Sequence, residues 1–356
     1  MTNSFCGFLS NGLFISDKID GNLSFSPCCL YGEYSKKIHY DKWNNVNDWS
    51  SYCNNCYIKE KNNKLSHRQQ NNKYFKNNDE GITYLELDYS NACNAACGMC
   101  NSISSSKIAR ILKLEGNNNV NVPSVKRKTF FDTITDLDLS KLKILKFKGG
   151  EPFYSNFHKD MIKKIKVPHE SVLMYQTNGS IYPDQEWWDL VKDFKEVYFS
   201  FSIDGINEKF NYIRSDLKFD IVESNIIKIL LNSNIKVTGS IEATINPLNA
   251  YYYDEIFDFY LKLKKINKSM SFNWHQCWND WGLENTPPQL RELVNKKYKN
   301  INLCKVINEL EFDKSKFISF IHSLQKHEKR FNFDANKTFP EVYPLIMEEY
   351  EKLITF

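Results

Sequence analysis

Three cysteines lie close together on one short stretch of the chain. They are Cys93, Cys97 and Cys100, separated by three and two residues. Apolar and polar side chains alternate over residues 84–90, which predicts a strand that ends at the cysteines. Three thiolates on one loop can hold three irons of a cubane iron–sulfur cluster. Because the loop has no fourth cysteine or histidine, the fourth iron would stay open to bind a ligand.

The N-terminal part of the chain offers a second set of metal ligands. Five cysteines lie there: Cys6, Cys28, Cys29, Cys53 and Cys56. A closed cubane cluster needs four ligands, so one of these cysteines is left over. Four cysteines that include a C-x2-C pair also suit zinc, and zinc remains an alternative for the later loop as well.

Cysteine usage and composition also limit the class of protein. Eight of the ten cysteines precede residue 101, and such clustering in a chain of 356 residues indicates metal binding, not disulfides. The 47 Lys and Arg residues nearly balance the 43 Asp and Glu residues, so nucleic-acid binding is not indicated. The sequence shows no signal peptide and no apolar run long enough for a bilayer. We expect a cytoplasmic protein without membrane contact.

The elements that position the cysteines follow a recognisable order. Residues 1–75 predict a separate small module, with a hairpin formed by the apolar runs 13–15 and 23–25. Strands and helices alternate over residues 81–285, which predicts parallel strands joined by helical crossovers. Residues 286–356 predict a helical extension.

A glycine-rich turn ends the next predicted strand of this part. Strand 142–147 runs into Gly149, Gly150, Glu151 and Pro152, where the glycines permit close backbone approach and the proline ends the strand. The carboxyl ends of parallel strands gather at one edge, so this turn should lie near the cysteine loop. Later predicted strands end near Asn178, Ser202, Asp204 and Asn246.

The C-x3-C-x2-C loop and the Gly-Gly-Glu-Pro turn one strand later resemble the signature of the radical S-adenosylmethionine (radical SAM) superfamily. In that family the open iron of a [4Fe–4S] cluster chelates S-adenosylmethionine, whose reductive cleavage gives a 5′-deoxyadenosyl radical that abstracts a hydrogen atom. The resemblance implies that Glu151 contacts the cofactor's ammonium group, Arg214 its carboxylate, and Ser202 and Asp204 its ribose. The full implied set of cofactor contacts is Gly149, Gly150, Glu151, Pro152, Asn178, Ser202, Asp204, Arg214 and Asn246.

The N-terminal cysteines are similar to the auxiliary-cluster (twitch, or SPASM-like) module of a subgroup of radical SAM proteins. This resemblance implies a second [4Fe–4S] cluster, held by Cys6, Cys28, Cys53 and Cys56. Cys29 replaces Cys28 if the register differs by one. Ser66 and Arg68 match a Ser-x-Arg segment of the subgroup, to which the sequence assigns no role.

These resemblances imply an α/β fold: a partial (β/α)6 TIM-type barrel over residues 81–285, with a small N-terminal Fe–S cluster module and a C-terminal helical tail. They also imply a radical SAM enzyme that modifies a peptide or protein by cross-linking, epimerisation or oxidation. The second choice of substrate is a small molecule such as a sugar or nucleoside. A reductant such as flavodoxin or ferredoxin would supply the electron. The alternative of another class is a zinc-stabilised binding module without catalytic activity.

Cys277 is a separate candidate for the chemistry. Alternation over the predicted strand 271–278 places Cys277 and His275 on one face. A thiol S–H bond is weak enough to return a hydrogen atom to a carbon radical, so Cys277 is a candidate hydrogen donor. The alternative is a structural cysteine in the core, where free cysteines are most often found.

Overall fold

A sheet of eight strands forms the centre of the protein in this computed structural model, which describes residues 6–17, 22–39, 43, 49–61, 66–75, 80–117, 120–122, 127–299 and 301–355. In chain order its strands are β1 (Gly12–Asp17), β2 (Leu23–Ser26), β3 (Tyr84–Asp88), β4 (Ile144–Lys148), β5 (Val172–Thr177), β6 (Glu196–Ser202), β7 (Val237–Ile245) and β8 (Ser271–Gln276). In space they lie in the order β2-β1-β3-β4-β5-β6-β7-β8.

Strands β3 to β8 are parallel, and each pairs with the next strand along the chain. This confirms the alternating strands predicted after residue 81, with ends that differ by a few residues. The fold is therefore α/β with a mostly parallel sheet. Closure of these strands into a partial barrel stays a prediction.

The N-terminal hairpin is part of the same sheet. Strands β1 and β2 are antiparallel, as predicted, with Phe14 opposite Ser26. Strand β1 also pairs in parallel with β3, where Leu13 lies opposite Leu85. This pairing satisfies backbone groups of β3 that would otherwise form an open edge. The expected boundary between residues 75 and 81 therefore does not separate two sheets.

The sheet has one apolar face and one polar face. A row of buried apolar side chains crosses it: Leu85, Leu145, Leu173, Val197 and Val237. The neighbouring row points to the other face: Glu86, Lys146, Met174, Tyr198 and Thr238. The polar face carries exposed side chains such as Gln176 and Asn273.

Helices connect the parallel strands and complete the chain. The described α-helices are α1 (Gly7–Asn11), α2 (Trp49–Tyr52), α3 (Asn54–Lys61), α4 (His67–Asn71), α5 (Ser106–Leu114), α6 (Arg127–Thr135), α7 (Phe157–Ile162), α8 (Gln185–Val191), α9 (Asn207–Ile213), α10 (Phe219–Leu230), α11 (Tyr253–Ile266), α12 (Pro288–Lys297), α13 (Asn302–Glu309), α14 (Lys314–Phe331), α15 (Ala335–Thr338) and α16 (Tyr343–Ile354). Side-chain caps fix several starts: Ser105 accepts from the N–H of Ile108 in α5, and Asp184 accepts from that of Trp187 in α8.

The C-terminal helices pack against the segment that follows α9. In α14, His327 is buried, and its Nε2 lies 3.0 Å from Ser215 Oγ. Trp281 packs edge-on against both His327 and Phe320. Five of the described helices, α12 to α16, lie in the region predicted as a helical extension. None of the described helices is long and apolar enough to cross a membrane.

Candidate functional site

Backbone hydrogen bonds attach the cysteine loop to the segment around Arg214. The N–H of Ala96 donates to the carbonyl of Ser215 over 3.0 Å, and the N–H of Gly98 donates to that of Ile213 over 2.9 Å. These bonds lie on either side of the middle cysteine of the loop. They fix that cysteine next to the guanidinium of Arg214.

The three thiols of the loop differ in acidity. The Cys97 and Cys100 side chains share a hydrogen bond, which lowers the pKa of Cys97 and raises that of Cys100. The positive charge of Arg214 also favours the Cys97 thiolate. Burial raises the pKa of Cys93 to about 11. The thiolate is the form that binds metal, and the charge of Arg214 favours it at all three cysteines.

The glycine turn docks directly on the cysteine loop. Gly149 and Gly150 have φ angles of +89° and +49°, which favour glycine. A Cβ atom at Gly149 would lie 2.1 Å from Oδ1 of Asp88, and one at Gly150 would lie 2.2 Å from the carbonyl oxygen of Ala92. That carbonyl accepts a hydrogen bond from the N–H of Glu151 over 2.8 Å. The close approach predicted for these glycines is confirmed.

Glu151 is a buried carboxylate at this edge of the sheet. Its Oε1 accepts from the hydroxyl of Thr177 over 2.7 Å, and its Oε2 accepts from the N–H of Asn178 over 2.7 Å. Burial raises the pKa of Glu151 to about 7, against the opposing effect of these bonds. A cationic partner would favour the ionised form, so the environment suits an ammonium group.

The end of β5 is bonded to the cysteine loop. Nδ2 of Asn178 donates to Oδ1 of Asn94 over 3.0 Å, and Nδ2 of Asn94 donates to the hydroxyl of Ser180 over 2.8 Å. Two other predicted residues lie at the same edge. Pro152 is buried, while Ser202 ends β6 and is half-buried.

Asp204 and Arg214 form a buried ion pair. Nη2 of Arg214 lies 2.7 Å from Oδ2 of Asp204, and the N–H of Thr244 donates to Oδ1 of Asp204 over 2.7 Å. Burial raises the pKa of Asp204 against the opposing charge of Arg214. Asp204 and Arg214 therefore pair with each other in the structure. The sequence resemblance had predicted that Asp204 contacts the ribose of a cofactor and Arg214 its carboxylate.

Two buried donors at this edge have no partner among the described residues. Nδ2 of Asn246 and Nε of Arg214 have no hydrogen-bond partner in the part of the chain that the structure describes. Buried donors are nearly always satisfied, by protein, water or ligand. A cofactor rich in oxygen acceptors, as S-adenosylmethionine is in its carboxylate and ribose, would satisfy them. The residues present therefore fit this group.

Four N-terminal cysteines surround one cavity. Its described lining consists of Cys6, Phe8, Leu9, Cys28, Leu30, Cys53, Cys56, His67 and Arg68. Burial raises the pKa of Cys6 to about 11 and that of Cys53 to about 12. Within the described ranges, no three His, Cys, Asp or Glu side chains are arranged as a site for a metal ion. Four thiols around one cavity nevertheless form the donor set that a cubane cluster requires.

Cys28 and Cys29 point to different surroundings. Cys28 lines the cavity, whereas the Cys29 thiol lies in the field of Glu86 in β3, and burial with that negative charge raises its pKa to about 11. The two cysteines could not be separated by sequence spacing. Of the two, Cys28 is the one in the described lining of the cavity.

The sequence analysis missed a charged cluster on the polar face of the sheet. Glu86 is fully buried, with Nζ of Lys146 and Lys148 at 3.2 and 3.3 Å from its Oε1. Burial would raise the pKa of Glu86, but the two lysines lower it to about 2. Alternation along each strand could have placed these charges on one face, but the register that sets Glu86 opposite Lys146 is seen only in the structure.

Cys277 lies just beyond the end of β8. Its N–H donates to the carbonyl of Ile245 over 2.7 Å, and its Sγ lies 3.3 Å from the carbonyl of Trp278. The thiol is buried, which raises its pKa to about 12. A role as hydrogen donor stays a prediction.

Comparison with known proteins gives partial similarities of structure alone. No family model and no curated protein matches the chain. A structure described as native anSMEcpe with bound AdoMet is 17% identical, with a TM-score of 0.39, and the match covers 60% of this chain and 57% of that chain. A polyhistidine-tagged form with bound AdoMet gives 16% identity and a TM-score of 0.42, with 64% and 60% covered. A third, with bound AdoMet and Cp18Cys peptide, gives 17% identity and a TM-score of 0.36, with 60% and 57% covered. The chain thus spans less than two thirds of these solved chains.

Proposed function

We propose that this chain is a radical SAM enzyme that reductively cleaves S-adenosylmethionine and abstracts a hydrogen atom from its substrate. The observation that carries the proposal is the junction between the two motifs. The loop of Cys93, Cys97 and Cys100 is bonded to the turn that presents the buried carboxylate of Glu151. One edge of the sheet thereby combines three soft sulfur ligands with a group suited to an ammonium ion.

The residues of this edge have different roles in the proposal. The three loop cysteines would hold a [4Fe–4S] cluster, and Glu151 would accept a hydrogen bond from the ammonium group of the cofactor. Asn246 and Arg214 would donate to cofactor oxygens through their buried, unpartnered nitrogens. Asp204 keeps the Arg214 guanidinium in place. When bound, the cluster and cofactor supply a one-electron cleavage that generates a 5′-deoxyadenosyl radical.

The N-terminal cysteines would hold a second cluster. Cys6, Cys28, Cys53 and Cys56 are the proposed ligands, because they line one cavity. This part of the proposal corresponds to a twitch, or SPASM-like, module within residues 1–75. The partial barrel would comprise residues 81–285 and the helical extension residues 286–356.

The proposed substrate is a peptide or protein, with a small molecule such as a sugar or nucleoside as the second candidate. The polar face of the sheet supports a substrate that hydrogen-bonds, since Gln176, Asn273 and His275 are exposed on it. The proposed electron donor is a flavodoxin or ferredoxin. The proposal places the protein in the cytoplasm.

Metal analysis of anaerobically reconstituted protein tests this proposal. Two cubane clusters predict about eight irons and about eight acid-labile sulfides per chain. Zinc reconstitution in parallel serves as the control for the zinc-stabilised alternative. Stoichiometric zinc in protein purified without oxygen, with no labile sulfide, would contradict the proposed function.

A further inference from the structure

The Ser-x-Arg segment begins a helix beside the cysteine cavity. The hydroxyl of Ser66 accepts from the N–H of Gln69 over 3.2 Å, and the N–H of Ser66 donates to Oε1 of Gln69 over 2.9 Å. This reciprocal pair is a capping box, which fixes the first turn of α4. The segment therefore has a defined geometry at the point where it meets the cavity.

The cap places an arginine against the four cysteines. Arg68 is 5% exposed and lines the cavity. Its guanidinium forms an ion pair with the Glu60 carboxylate, to which the Ser66 hydroxyl donates over 2.5 Å. Glu60 and Ser66 thus hold a buried cation in one position next to the thiols.

The positive charge of Arg68 acts electrostatically on the cysteines. The Arg68 guanidinium lines the same cavity as the thiols of Cys6, Cys28, Cys53 and Cys56, and a charge is screened less in a protein interior than in water. His67 also lines the cavity, but burial lowers its pKa to about 4, so it is neutral at physiological pH. Among the described residues of the lining, Arg68 supplies the positive charge.

We propose that Arg68 is the counter-charge of the N-terminal cluster and sets its reduction potential, with Glu60 and Ser66 as positioning residues. This inference rests on the proposed function, because it requires that cluster. A cubane cluster gains one negative charge when it is reduced, so a nearby cation stabilises the reduced form and raises the potential. Removing the cation should lower the potential, and removing its anionic partner should raise it.

The test uses holoprotein in which Cys93, Cys97 and Cys100 are replaced together by Ala, so that only N-terminal cluster signals remain. The midpoint potential is measured by anaerobic titration followed by electron paramagnetic resonance. Arg68→Gln should shift it to a more negative value, whereas Arg68→Lys should largely preserve it. The matched control is Arg330→Gln, since Arg330 also pairs with a glutamate, Glu115, but does not line the cavity. It should leave the potential unchanged.

The direction in which a second variant shifts the midpoint potential distinguishes an electrostatic effect from structural damage. Glu60→Gln should shift the potential to a less negative value. A common shift of Arg68→Gln and Glu60→Gln in one direction would overturn the inference, as would equal potentials in Arg68→Gln and Arg330→Gln. If Arg68→Gln fails to hold iron, Glu60→Gln decides the question: a less negative potential supports the inference, and an unchanged or more negative one overturns it. Loss of all iron in the triple cysteine background would instead overturn the proposed second cluster, and this inference with it.

Discussion

The N–H of Glu151 donates to the carbonyl of Ala92 over 2.8 Å, which ties the glycine turn to the residue directly before Cys93. Two parts of the chain that are far apart in sequence therefore form one unit. Any substitution that separates them should disturb the cysteine loop and the buried carboxylate together.

Gly150→Ala should separate the glycine turn from the cysteine loop. Its Cβ would lie 2.2 Å from the Ala92 carbonyl oxygen, so the cysteine loop must shift. The positive φ adds about 1–2 kcal/mol of strain. We expect about half of the iron to be lost, as measured by iron analysis after reconstitution. The matched control is Gly116, whose φ is +85°: in Gly116→Ala, no atom of the described residues lies within 4 Å of the new Cβ. Equal iron contents in the two variants would show that the contact is not required.

Glu151→Gln should weaken cofactor binding and leave cluster assembly intact. The amide keeps the size of the side chain but loses the charge that an ammonium group would meet. A hydrogen bond to a charged group contributes about 1.5–3 kcal/mol, which corresponds to a loss of roughly tenfold to a hundredfold in affinity. Titration of the reconstituted protein with S-adenosylmethionine measures this loss. Unchanged affinity at unchanged iron content would remove Glu151 from the cofactor site.

Asp204→Asn should destabilise the fold, because it leaves the buried Arg214 guanidinium without its counter-charge. Breaking one partner of a buried ion pair costs about 3–5 kcal/mol. Glu115→Gln is the control, since it breaks the more exposed pair with Arg330 and should cost less than about 1 kcal/mol. Denaturant unfolding of both variants gives the comparison. Similar costs would mean that the Asp204–Arg214 pair does not support the edge of the sheet.

Stability should decrease as the pH falls because of His327. Burial lowers its pKa from 6.5 to about 4. Between those values the unfolded chain takes up a proton that the folded protein does not, so unfolding becomes easier by about 1.4 kcal/mol for each unit of decreasing pH. The difference in unfolding free energy between native protein and His327→Gln should change by nearly this amount from pH 6 to pH 5, because His67 and Glu151 contribute alike to both proteins. His322→Gln, on the exposed side of the same helix, should show the same pH dependence as native protein. A slope that is the same in both variants would contradict the assignment to His327.

The parts of the site that the sequence predicted are those encoded locally. The alternation of apolar and polar side chains predicted the strands, and Gly149 and Gly150 predicted the close approach to the cysteine loop. Both predictions depend on residue types within a few positions of each other. The hairpin was also predicted, since its two short apolar runs lie near each other in the chain.

The unpredicted parts depend on pairing between distant segments. The parallel pairing of β1 with β3 joins residues about seventy positions apart, and no local pattern encodes it. The same holds for the different surroundings of Cys28 and Cys29, which sequence spacing cannot separate. The ion pair of Asp204 with Arg214 was not predicted, because it depends on how the loop after β6 and the end of α9 fold onto each other and no pattern of residue types encodes that contact.

Formation of 5′-deoxyadenosine tests the central claim most directly. Reconstituted protein, reduced with dithionite under anaerobic conditions and given S-adenosylmethionine without substrate, should release 5′-deoxyadenosine slowly. Cys97→Ala should release none, whereas Cys53→Ala in the N-terminal set should retain the reaction. If native protein with full iron content released no 5′-deoxyadenosine, or if Cys97→Ala released as much as native protein, the assignment of this chain as a radical SAM enzyme would be contradicted.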